Sequence, residues 1–63
     1  MSLENELHGR WNRLLGQVIE LEHTIERTSS TFARRILNER VAELRGAMAR
    51  IDSQLAALAA GRA

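Results

Sequence analysis

Sixty-three residues, nine basic against eight acidic, and no cysteine leave room for one small domain, read here as residues 1–63, and exclude disulfide staples and thiolate chemistry. A net charge of +1 argues against a strongly electrostatic nucleic-acid binder. A chain this short buries little surface alone, so it ordinarily needs a metal or a partner to complete its core.

No apolar run reaches the ~18 residues of a transmembrane helix, so no membrane is expected among its partners. The start Met1-Ser2-Leu3-Glu4-Asn5-Glu6 lacks the basic-then-apolar character of a secretory signal, and a cytoplasmic location is expected.

The first predicted helix runs over about residues 3–28. Ser2 is placed to cap it, and Glu4 and Glu6 suit the positive end of its dipole. Leu7, Trp11, Leu14, Val18, Leu21 and Ile25 succeed one another at intervals of 4, 3, 4, 3 and 4. That rhythm lines one face of a helix, with Trp11, Val18 and Ile25 at heptad position a and the leucines at d. Leu15 at e and Ile19 at b widen the stripe on one flank, and a stripe this wide suits a bundle of three or four helices.

Thr28, Ser29, Ser30 and Thr31 then form a hydroxyl run with poor helix preference. A polar turn is predicted over about 28–31, with Ser29 or Ser30 capping the second helix. The second ladder does not continue the phase of the first, and neither a three- nor a four-residue insertion reconciles them. A single helix of ~95 Å is the alternative. Phe32 continues the first ladder's a phase and is expected to plug the end of the core.

The second predicted helix spans about 31–60. Val41, Met48 and Leu55 take a; Leu37, Leu44, Ile51 and Leu58 take d. Ala42, Ala49 and Ala56 recur at b, with Ala33 and Ala47 at g. Small flanks let a neighbouring helix approach closely, and they look complementary to the bulky flank of the first helix. Gly9, Gly16 and Gly46 all fall at f, the outermost position, where each costs ~1 kcal/mol relative to alanine. Either a close neighbour or tolerated drift accounts for them. Gly61 is a stop signal.

Every basic residue is arginine. Selection for forked contacts with carboxylate or phosphate would produce this, as would the codon bias of a GC-rich genome, the simpler account. Residues 1–28 carry five acids and three arginines, net −2; residues 29–63 carry three acids and six arginines, net +3. An acidic helix beside a basic one favours antiparallel pairing within a hairpin.

Chemistry-bearing constellations are sparse. Glu20 and His23 have the Glu-x-x-His spacing of di-iron bundles, yet they fall at c and f, turned away from the seam. His8 is too distant to share a metal with His23 on one straight helix. No nucleophilic triad, phosphate loop or zinc-ligand spacing appears. Neither a cofactor, nor a small-molecule substrate, nor catalysis is expected. Arg27, Arg34 and Arg35 bracket the hydroxyl turn and are the candidate anion or nucleic-acid contacts, with Arg40, Arg45 and Arg50 as further phosphate contacts.

In length and hairpin layout the chain resembles ROP, the plasmid RNA-binding family whose antiparallel hairpins dimerise into four-helix bundles. It is similar, too, to the small helical-hairpin co-chaperones of type III secretion. The likeness is one of architecture, without a shared motif, so no functional residue carries over.

The expected fold is therefore all-α, an antiparallel helical hairpin pairing into a homodimeric four-helix bundle. Its interface would be the two ladders: Leu7, Trp11, Leu14, Val18, Leu21, Ile25, Leu37, Val41, Leu44, Met48, Ile51, Leu55 and Leu58. The expected function is a non-enzymatic interaction module, an adaptor, small chaperone or oligomerisation element, with itself and another protein as partners. Trp11 would anchor a heterologous partner, unless it packs in the core. The alternative is a ROP-like nucleic-acid binder using the turn arginines.

Overall fold

A computed structural model describes residues 2–62. It contains two α-helices, α1 (Leu3–Arg27) and α2 (Thr31–Ala60), packed antiparallel as a hairpin. The molecule is 49 Å along its longest axis. That is close to the length of α2 alone, 30 residues at ~1.5 Å each, so the single-rod alternative is overturned. Among the described residues no helix is long and apolar enough to cross a membrane.

The helix limits arise from local chemistry. The Ser2 hydroxyl accepts from the Asn5 backbone N–H at 3.2 Å, and Glu4 and Glu6 stand in the first turn, where the free N–H groups favour negative charge. At the other end Arg27 occupies the last turn. There the Thr28 backbone N–H donates to the Ile25 carbonyl at 3.1 Å, and the Thr28 hydroxyl donates to the Thr24 carbonyl at 2.6 Å. Carbonyls that a helix end leaves without partners are thus satisfied.

Thr28 and Ser30 adopt extended backbone angles, which reverses the chain in three residues. The Ser30 hydroxyl then accepts from the Ala33 N–H at 3.3 Å and caps α2. Gly61 ends α2 with right-handed angles (φ −68, ψ −10) rather than the left-handed conformation a glycine stop often takes. Its N–H is satisfied by the Ala57 carbonyl at 3.1 Å.

Among the described residues five side chains are buried: Leu7, Val18, Val41, Leu44 and Ile51. All belong to the two ladders. Val18, Val41 and Leu44 form the central cluster, with Leu14, Leu21, Ile25 and Met48 packed against it. Trp11, Leu37, Leu55 and Leu58 complete the seam as half-buried residues.

Phe32 does not plug this core; it is 72% exposed. The three-residue turn and the Ser30 cap reset the helical phase, so counting on from α1 gives the wrong face. In the phase of α2, Phe32 occupies f and Ile36, one turn later and half exposed, occupies c.

Candidate interaction surfaces

Each ladder residue named from the sequence is buried or half-buried within the hairpin itself. The seam holds the two helices of one chain together, and its half-buried members keep part of their surface open toward the flanks. Antiparallel pairing sorts those flanks: e positions of both helices fall on one side of the seam and g positions on the other. Two cross-helix groupings mark the sides. Glu22 and Arg45, both e, meet at 2.8 Å. Arg10, Gln17, Ala47 and Gln54, all g, line one cleft together with Arg13 and Arg50 at c.

The e flank carries an apolar patch among polar neighbours. On α1, Trp11, Leu15 and Ile19 succeed one another at intervals of four and form a ridge. Trp11 and Leu15 are half-buried, while Ile19 is 46% exposed. On α2 this side presents Ala42, Ala49 and Ala56, all exposed. The Trp11 indole nitrogen is shielded from solvent, yet its N–H has no hydrogen-bond partner among the described residues. An unmade bond at such a site costs ~1–3 kcal/mol.

The g flank is polar and basic. Its cleft has a volume of about 430 Å³, with Arg10 and Arg13 on the α1 wall and Arg50 on the α2 wall. Gln17 and Gln54 stand beside them, and Leu14, Ala47 and Ile51 supply the apolar surface. The end guanidinium nitrogens of Arg13 and Arg50 fold back one turn over Gly9 and Gly46, where a Cβ would stand 3.8 and 3.9 Å away. No second helix presses on Gly9, Gly16 or Gly46, so within the hairpin nothing demands glycine at these positions.

The arginines nominated around the turn are all exposed. Arg34 and Arg35 share a concavity of about 540 Å³ with Thr31, Asn38, Glu39 and Ala42. That surface belongs to α2 alone, Arg27 does not line it, and Glu39 places a carboxylate in it. Arg40 pairs with Glu43 at 3.0 Å within α2. Arg45 is taken by Glu22, and Arg62 by Glu4 across the open end of the hairpin. Of the further phosphate contacts suggested by the sequence, Arg50 alone reaches the g-flank cleft.

Arg10 and Arg13 are not among the residues that the sequence pattern singles out. A signal is present nonetheless: once the helices run antiparallel, Arg10 and Gln17 at g must share a side with Ala47 and Gln54. Glu20, His8 and His23 are exposed, and among the described residues no three metal-ligating side chains gather in one place. Compared with protein-family models, curated proteins and solved structures, the chain matches none.

Proposed function

We propose that the hairpin is a non-enzymatic protein-interaction module that first pairs with a second copy of itself, forming a four-helix bundle through the e flank. The observation that carries this reading is the apolar ridge Trp11–Leu15–Ile19, level across the seam with the exposed Ala49 and Ala56. Bulky ridge and small-residue face lie on the same side of one molecule. A two-fold axis therefore sets the ridge of each copy on the alanines of the other, a self-complementary contact that closes. The acidic first half and basic second half of the chain favour the same cross-pairing. A core of five buried side chains is thin for 63 residues, and burying one further large aliphatic side chain contributes ~1.5–3 kcal/mol.

The test is sedimentation equilibrium at micromolar concentration on the native chain and on a Leu15→Gln/Ile19→Gln variant. The native chain is expected as a dimer. The variant is expected as a helical monomer, because these side chains contribute more between copies than within one. A native chain that stays a compact, fully folded monomer overturns the pairing.

The ROP-like alternative rests on Arg27, Arg34 and Arg35. Their dispersal over two separate surfaces, with Glu39 among them, weighs for the protein-interaction reading. A pull-down under native expression, with associated RNA sequenced, separates the two: a specific protein partner supports the module, and a specific RNA without one supports the alternative.

A further inference from the structure

Of the nine arginines, Arg40, Arg45 and Arg62 each meet a glutamate. Among the others, Arg10, Arg13 and Arg50 stand out because they gather in one place. They line one cleft on the g flank, drawn from both helices, whose lining contains no acid, while Glu6 shares an adjoining concavity with Arg10 and Arg13. Among the described residues none of the three lies within ion-pair distance of a carboxylate. Like charges held around one volume repel, and an anion from outside converts that repulsion into attraction. The guanidinium fork suits carboxylate and phosphate alike.

The rest of the lining chooses between them. Gln17 and Gln54 each bring an acceptor oxygen as well as a donor NH₂. A phosphate group, which only accepts, uses half of that capacity, whereas a peptide backbone uses both halves. The apolar lining is aliphatic, Leu14, Ala47 and Ile51, with no aromatic ring on which a base could stack. From Arg10 to Gln17 the cleft runs along α1 for ~10 Å, room for two or three side chains of an adjacent segment.

We propose that this cleft docks an acidic peptide segment of a partner protein, its carboxylates on the arginine forks and its interleaved aliphatic side chains on Leu14 and Ala47. The proposal rests on the reading of the hairpin as an interaction module, but not on its self-pairing, since the cleft lies on the flank opposite the alanine face. The same chain can then hold a second copy on one side and an acidic partner on the other.

Fluorescence anisotropy of the full chain tests it, with a labelled peptide of glutamates and leucines, its glutamine-for-glutamate counterpart, and a labelled oligouridylate. The glutamate peptide is expected to bind at low salt and the glutamine peptide not to bind. An Arg13→Gln/Arg50→Gln variant is expected to weaken binding about tenfold, the loss of two exposed charge pairs. An Arg34→Gln/Arg35→Gln variant should bind as the native chain does. Circular dichroism confirms that both variants remain helical, as expected for exposed side chains.

Three results overturn the docking site: no peptide binding at low salt, equal losses in both variants, or oligouridylate binding that depends on Arg13 and Arg50 where peptide binding does not. Sedimentation of the same samples keeps the two proposals apart. A monomer whose peptide binding still maps to Arg13 and Arg50 removes the self-pairing and leaves the docking site. A dimer that ignores the peptide does the reverse.

Discussion

The two flanks of the hairpin grow from the same pair of ladders and differ in almost every other respect. The e flank carries Trp11, Leu15, Ile19 and three exposed alanines, bridged across the seam by Glu22 and Arg45. On the g flank stand Arg10, Arg13 and Arg50 around two glutamines, with no acid in their cleft. A seam of leucines states only that two helices meet. The character of each side is set by the residues at e and b on one and at g and c on the other, and antiparallel pairing decides which flanks join.

The largest expected effect comes from the seam that both flanks share. Leu44→Ala removes a side chain that is 4% exposed at the centre of the core. It should cost ~2–5 kcal/mol, visible as a large drop in thermal midpoint together with loss of both flanks' binding. Were one flank to keep its binding while the melt collapsed, that flank would not depend on the paired hairpin.

A smaller effect of opposite sign is expected at Gly16, on the outer face, where an added Cβ meets nothing within 4 Å. Gly16→Ala should raise stability by ~1 kcal/mol in denaturant melts and leave both flanks unchanged. A loss of self-association instead would place a partner helix on the outer face and redraw the comparison.

The smallest expected effect is on the e-flank ion pair. Glu22 and Arg45 are about half exposed, 48% and 61%, so solvent screens their attraction. Glu22→Gln should change stability by less than ~1 kcal/mol, and added salt should shrink that difference further. A larger, salt-resistant loss measured in a double-mutant cycle with Arg45→Gln would mean that the pair becomes buried in the assembled bundle.

Much of the hairpin is legible in the sequence alone. The ladders name every buried residue among those described, because heptad spacing derives directly from helix geometry. Ser2 and Ser30 announce the helix starts because a hydroxyl there satisfies an N–H that nothing else reaches. Phe32 is misplaced by the same counting, since phase carried through a turn has no meaning once extended residues interrupt the helix. The g-flank cleft is illegible for a different reason. Arg13 and Arg50 are 37 positions apart, and no spacing rule within one helix brings them together. Only the antiparallel pairing does, and it is set by the turn.

That turn bears on whether the chain can be straightened into one rod. Thr28, Ser29 and Ser30 include neither glycine nor proline, and no non-glycine residue among those described has a positive φ. Winding these three residues into a helix costs only a few tenths of a kcal/mol each in intrinsic preference, against the caps and seam contacts that bending provides. A chain straightened there would carry its two ladders out of phase, on nearly opposite faces of one rod, so two rods laid side by side could not remake both seams. The mismatch of phase thus guards the hairpin against exchange where the turn residues themselves do not. A substitution there that favours helix gains local propensity and loses the seam.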